Sequence, residues 1–256
     1  MHGVPVTAER LGLEGPRGWA FQGISLDAGP GALIAVEGPS GSGRTCLLLA
    51  LTGRMRATEG TATVGEARLP RHPAAVRRIS AVANVAGVTD LEPALTVGEH
   101  LRERALLQRR FGDSLRDLVR PRGEWTARAE QLIDDAVAAA GLDLDSLPRG
   151  ARTVVRDLER IEALRLSVAL ALVGRPRLLA VDDADLKLPA AERTEVGALL
   201  ASIAEAGTTV VAVCGEGLEG AVVVRTGTAR EDETATPEGS GTGEEAGDAL
   251  ATTGRA

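Results

Sequence analysis

The sequence predicts an α/β fold: a parallel β-sheet flanked by helices, with a small antiparallel β subdomain beside it and a helical subdomain inserted between two of its strands. Three observations predict it. Short aliphatic runs mark buried parallel strands, helical patterns separate those runs, and one long charged stretch interrupts the alternation.

In chain order, the opening residues and residues 58–69 (TEGTATVGEARL) carry short Thr/Val segments punctuated by glycine, the pattern of a small antiparallel sheet. The runs Leu33 to Val36, Ile79 to Val85, Leu178 to Val181 and Thr208 to Val213 read as strands covered on both faces. Thr126 to Ala140 reads as an amphipathic helix. It places Leu132, Ile133, Ala136, Val137 and Ala140 on one stripe, keeps Arg128, Glu130, Asp134 and Asp135 off it, and meets Gly141 as a stop. A second helix, Leu158 to Val173, runs into Gly174-Arg175-Pro176 and then the Leu178 strand. Strands alternating with helices imply right-handed crossovers. The mostly charged region 88–156 does not fit that alternation and is read as the inserted helical subdomain.

The formal charge of −7 is unevenly placed. Residues 226–256 hold seven acids against Arg230 and Arg255, giving −5, and the body carries −2. Gly, Thr, Ser and Pro fill the rest of that segment, which offers too little apolar surface to offset the entropy of ordering it. The expected division is therefore an ordered domain over 1–225 and a disordered acidic tail over 226–256.

A chain of 256 residues with 44% hydrophobic content suffices for one large domain with an insertion. The longest apolar run, near Ala163 to Val173, is broken by Arg165, so no membrane span is expected. Met1 to Gly15 lacks a basic segment followed by an apolar one, so no secretory signal is expected either, and the cytoplasm is the expected compartment. Neither part has the concentrated basic face that nucleic acid requires. Cys46 and Cys214 each sit inside an apolar run and read as packed thiols rather than ligands or a disulfide. Lys187 is the only lysine among 29 basic residues.

Residues 38–45, GPSGSGRT, match the phosphate-loop pattern G-x-x-x-x-G-K-[ST] at every defined position except that Arg44 replaces lysine. A strand precedes it and the helical run Thr45-Cys46-Leu47-Leu48 follows, so backbone N–H groups and a helix N-terminus would converge on an anion. Gly38, Pro39, Ser40, Gly41, Ser42, Gly43, Arg44, Thr45 and Cys46 are the candidate ligand-binding residues, with Thr45 the candidate Mg²⁺ ligand. The bland alternative is a Gly/Ser turn between strand and helix, with Thr45 a plain cap. Arg44 presents a longer, planar fork where a compact ammonium belongs. The scarcity of lysine makes compositional drift a competing account of it.

The order of the remaining segments resembles the ATP-binding cassette of ABC transporters over about residues 4–225, on a P-loop NTPase core. Residues 158–176, LERIEALRLSVALALVGRP, are similar to the family's signature and following helix. Leu178 through Asp182, Asp183, Ala184 and Asp185 resemble the Walker B strand, and Gly207 through Gly215 and Glu216 resemble the switch strand. Ile79 to Asn84 resembles the strand ending in the Q-loop glutamine, and Leu95-Thr-Val-Gly-Glu99-His-Leu the segment after it.

The resemblance implies ATP and Mg²⁺ as cofactors, with Asp182 holding the metal shell and Asn84 standing for the glutamine with shorter reach. It also marks departures. Asp183 stands for the water-polarising glutamate and withdraws its carboxylate by roughly 1.5 Å. Gly215 stands for the switch histidine and has no side chain to reach a γ-phosphate. Glu159, Arg160 and Ile161 replace the signature serine and glycines, and Leu186-Lys187-Leu188-Pro189 replaces the D-loop. No aromatic stands clearly at an adenine platform, and Trp19 and Phe21 read as packing of the β subdomain. The implied protein is a cassette subunit, cytoplasmic and peripheral at the inner face of the cell membrane. Its implied partners are an integral membrane permease-like protein and, in a heteromeric complex, a second ATP-binding cassette. Weak or lost hydrolysis is the expected mechanism, and an active ATPase powering transport the alternative.

Overall fold

A computed structural model describes residues 2–111, 122–215 and 217–227. The strands are β1 (Val6–Gly15), β2 (Gly18–Ala28), β3 (Leu33–Glu37), β4 (Glu59–Val64), β5 (Ala67–Leu69), β6 (Ser80–Ala83), β7 (Leu178–Val181), β8 (Thr209–Val213) and β9 (Val222–Arg225). The helices are α1 (Arg44–Leu51), α2 (Pro73–Ile79), α3 (Val97–Phe111), α4 (Arg122–Ala139), α5 (Arg160–Leu172) and α6 (Ala190–Glu205).

Two sheets form. An antiparallel sheet has the order β2-β1-β4-β5, and a wholly parallel one the order β6-β7-β8-β3-β9. Strands β3, β7 and β8 are buried on both faces, as their aliphatic composition requires. Ile34, Val36, Leu178, Ala180, Val211 and Val213 point into a core shared with the antiparallel sheet and α1. Leu33, Leu179, Val181, Val210 and Ala212 point into a second core closed by α5 and α6. The period-2 alternation of each strand thus joins two layers through one sheet.

The strands differ from the sequence reading at β6 and β9. The run Ile79 to Val85 is a strand only over Ser80–Ala83, because Ile79 closes α2 and Asn84 turns to φ +57. Strand β9 lies outside the four runs, since it is an edge strand of which Val224 alone is buried while Val222 and Val223 remain exposed.

Between β6 and α5, helix α3 starts at a capping box: Thr96 N–H donates to Glu99 Oε2 at 2.8 Å and Glu99 N–H to Thr96 Oγ1 at 3.2 Å. Helix α4 buries Leu132 and Ala136 of the expected stripe, and Ala140 just beyond it is fully buried. The boundary expected at residue 225 falls too early. Thr226 is 1% exposed, its N–H donates to the Glu37 carbonyl at 2.8 Å, and its hydroxyl bonds Ser42. The ordered chain therefore runs through Thr226, and the remaining expectation, a disordered tail, falls from residue 228 onward, outside the described residues.

Candidate functional site

The site begins where β3 ends. Gly38 leaves the strand at φ +150, and a Cβ there would collide with the carbonyl and hydroxyl of Thr226. The loop then turns through Pro39, Ser40 and Gly41, all exposed, and Ser42 N–H donates back to the Pro39 carbonyl at 3.2 Å. Gly43, at φ +83, enters α1 with its Cα against the Ala20 carbonyl of β2, so any side chain would strike that strand. Ser42 is buried and its hydroxyl lies 2.7 Å from Thr226 Oγ1, whose own proton goes to the Glu37 carbonyl at 3.1 Å. These contacts hold the loop around the half-buried N-terminus of α1. The first N–H groups of that helix have no intrahelical acceptor, which leaves them for an anion.

Beside this cradle stands a pair of oxygen groups. Thr45 Oγ1 donates to both oxygens of Asp182, at 2.8 and 3.1 Å. Asp182 follows β7 and is buried. Burial raises its pKa above the ordinary carboxylate value, and the neighbouring Asp183 adds to the rise, while the Thr45 bond and Arg44 oppose it. A threonine hydroxyl and a carboxylate are hard oxygen donors of the kind that suits Mg²⁺.

Arg44 does not extend into solvent. Its Nη1 donates to the Cys214 carbonyl at 3.2 Å and its Nη2 lies 4.0 Å from Asp183 Oδ1. Asp183 itself sits at φ +44, a conformation that aspartate tolerates better than most residues. Gly215, after β8, donates its N–H to Asp185 at 2.8 and 3.0 Å. Asn84 donates its side-chain amide to the Asp182 carbonyl at 2.9 Å, and its backbone N–H to Ser167 Oγ at 2.7 Å.

Glu159 and Arg160 are exposed at the start of α5, where Arg160 Nε donates to the Leu186 carbonyl at 2.8 Å. Ile161 is buried in the second core, so it fills space within this chain rather than standing at the surface. Phe21 is buried in the first core, and Trp19, at the exposed end of the β1–β2 hairpin, lies against Gly12. Cys46 and Cys214 are free thiols. Burial, with Asp185 and Glu37 nearby, pushes Cys214 up to about 12, and burial also raises Cys46, so neither is a thiolate near neutral pH.

The residues brought together are thus Ser42, Arg44, Thr45, Asp182, Asp183, Cys214 and Gly215. Two partners escaped the sequence reading: Thr226, which lies beyond the assumed domain end, and Asp185, whose carboxylate seizes the Gly215 amide. The aliphatic run before Arg225 was the available signal for the first. No local pattern announces the second.

A strand, a glycine-rich loop and a helix, with an acid from the parallel strand one removed in the same sheet meeting the loop threonine, define a P-loop nucleotide-binding fold. The family model described as "ABC transporter" matches residues 21–185. A 192-residue stretch is 31% identical to ABC transporter G family member 26 of Arabidopsis thaliana, covering 75% of this chain and 26% of that one. Over 191 residues it is also 31% identical to the Fe(3+) ions import ATP-binding protein FbpC of Streptomyces avermitilis, covering 74% of this chain and 49% of the relative. The chain therefore belongs to the ABC transporter family, as an ATP-binding cassette. It spans about a quarter to a half of the length of these relatives. Among solved structures, the dimeric bacterial ABC transporter cassette MJ0796 superposes with a TM-score of 0.63 at 20% identity, covering 82% of this chain and 88% of the other. The cbiO1 cassette of Clostridium perfringens superposes with a TM-score of 0.64 at 17% identity, covering 82% and 78%. No helix among the described residues is long and apolar enough to cross a membrane.

Proposed function

We propose that this chain is a cassette subunit of an ABC transporter-like membrane complex that binds ATP at residues 38–46 and hydrolyses it weakly or not at all. The observation that carries this reading is the contrast within one site: the loop backbone and the Thr45–Asp182 pair are intact, while Arg44, Asp183 and Gly215 occupy the positions that would handle γ-phosphate and water. Thr45 and Asp182 are the proposed Mg²⁺ ligands, and the metal would supply charge neutralisation at the phosphates.

Each altered position has a physical consequence. Arg44 is engaged with the Cys214 carbonyl and lies near Asp183, so it neutralises the protein's own carboxylate and lends less charge to a phosphate. Asp183, shorter than glutamate, holds a base farther from an attacking water. Gly215 offers a backbone N–H already taken by Asp185. Asn84, with its amide nitrogen on the Asp182 carbonyl, fixes the turn after β6.

The proposed partner is an integral membrane permease-like protein. A groove of about 520 Å³ between β6, α3 and α5, lined by Val88, Leu91, Leu95, Leu107 and Leu170 with Glu92 and His100, supports docking there. The complex is proposed to hold this subunit in the cytoplasm, peripheral at the inner face of the cell membrane. A second cassette is proposed as well, since Glu159 and Arg160 would meet its nucleotide poorly. The alternative reading, an active ATPase powering transmembrane transport, draws support from the retained Thr45–Asp182 contact and from relatives named as import proteins.

The deciding experiment measures Mg-ATP binding and phosphate release on the purified chain. Mg-ATP should raise the unfolding temperature, because binding only the folded state stabilises it by RT ln(1 + [L]/Kd), about 2.7 kcal/mol at a hundredfold excess over Kd. Phosphate release should fall well below about 1 per second, the low end of ordinary enzymes. Turnover at or above that rate, abolished by Asp182→Ala, establishes the active ATPase instead.

A further inference from the structure

Away from the phosphate loop, at the seam between α2, α3 and the start of β6, four arginines gather. Arg54 donates to the carbonyls of Thr52 and Ser80 and to the Ser80 hydroxyl, at 2.9 to 3.1 Å. Arg77 Nη1 donates to the Gly53 carbonyl at 2.8 Å, and Arg104 Nε to the Leu170 carbonyl at 3.0 Å. The Thr52 and Gly53 carbonyls close α1 and the Leu170 carbonyl lies in the last turn of the helix Arg160–Leu172, where helix dipoles favour cations, and that accounts for the anchoring of one edge of each guanidinium. It does not account for the rest. Among the described residues, Arg77 and Arg104 each keep four further N–H donors without a protein acceptor, and Arg78 has none of its donors committed.

Among the described residues, no carboxylate lies within 4.0 Å of Arg54, Arg77, Arg78 or Arg104. The like charges act on one another. Burial, then Arg77 and Arg104, bring Arg54 down to about 10, and burial also lowers Arg104. A cavity of about 320 Å³ opens beside them, lined by Arg77, Arg78, Arg104 and Gln108 together with Ser80 and Gly174 and containing no acidic residue. Arg77 and Arg78 are exposed, and with Arg104 they line that cavity. They are therefore within reach of a solute in that cavity.

We propose that this cavity is an oxyanion site, in which Arg77, Arg78, Arg104 and the Gln108 amide take a phosphate-sized dianion. Forked guanidinium donors match the geometry of phosphate oxygens. A dianion there supplies the counter-charge the cluster lacks and links α2 of the core to α3 of the insertion. The site is separate from the phosphate loop. Ser80 begins β6, whereas the loop follows the end of β3, and all strands of the sheet run the same way, so the two lie at opposite ends of the strands.

The test is equilibrium dialysis of the full chain against labelled inorganic phosphate, with chloride setting a constant ionic strength. The wild type should bind at millimolar phosphate. Arg104→Gln and Arg77→Gln should each weaken binding by about tenfold, as loss of a charge-assisted bond implies. Glycerol phosphate distinguishes the source of the anion. Competition by it means that the site accepts the phosphate of a larger molecule, and binding of inorganic phosphate alone confines it to the free anion. Where Arg104→Gln does not fold, hydrogen exchange of the wild type supplies the second readout, and phosphate should protect residues 77–80 and 104–108. The proposal is overturned by absence of binding, by affinity in the Arg104 and Arg77 variants equal to that of the wild type, or by protection confined to residues 38–46.

Discussion

At Asp182 a carboxylate is held out of water so that it can meet Thr45, and burial sets the sign of its contribution to stability. Its folded pKa is raised, so the native state binds more protons than the unfolded chain across the interval from the ordinary carboxylate value up to the raised one. Stability from this group is then present at low pH and lost as pH rises through that interval. Asp182→Asn should accordingly raise the apo unfolding temperature at pH 7, where about 1 kcal/mol is worth roughly 2–4 °C in a chain of this size. The gain should vanish below about pH 4, near the unfolded carboxylate pKa. A calorimetric pH series on both proteins checks it, and a gain that grows on acidification reverses the sign argued here. Gly43 gives the opposite kind of residue effect. Gly43→Ala places a Cβ in the Ala20 carbonyl at a positive φ, and should cost about 2 kcal/mol or more in chemical denaturation.

Among the elements, β9 and the N-terminus of α5 carry contacts that their local sequences do not reveal. Thr226, just past β9, ties Glu37 to Ser42, so truncation before it removes a buried hydrogen-bond partner of the phosphate loop. Deleting residues 226–256 should destabilise by about 1–3 kcal/mol. Deleting 228–256 should leave stability and nucleotide affinity unchanged, and paired denaturant titrations separate the two. At α5, the substitution that would restore a signature glycine, Ile161→Gly, removes a buried side chain from the second core and adds a helical glycine. It should cost about 3–5 kcal/mol. Glu159→Ser, at an exposed position, should cost far less, and the difference between the two unfolding temperatures is the check.

For the molecule as a whole, Arg44 lies near Asp183 and bonds the Cys214 carbonyl just before Gly215, although the latter bond joins residues 170 positions apart in the chain. Arg44→Lys, Asp183→Glu and Gly215→His together restore the half of a site that holds metal and water. A Cβ at Gly215 has room, its nearest neighbour being Asp185 Oδ2 at 3.4 Å. The triple variant should still release phosphate only slowly by itself, since Glu159 and Arg160 remain. It should gain turnover with an intact partner cassette. Rapid release from the triple variant alone would show that the altered signature suffices.

By itself the sequence determined the layered α/β class, the phosphate loop at 38–45, the acid at Asp182 and the family, because each of these is written in a local run: aliphatic strands, glycines at fixed spacing, an acid ending a buried strand. Local chemistry could not announce β9, which is short and buried on one side, or the burial of Thr226, whose environment is made by Glu37 and Ser42. Nor could it foresee that Arg44 turns onto the Cys214 carbonyl, that Asp185 takes the Gly215 amide, or that Ile161 serves the core. Those outcomes depend on which strands become neighbours in the parallel sheet. Hydrogen bonds and burial act over a few ångströms, and only the fold decides which residues, distant in the chain, come that close.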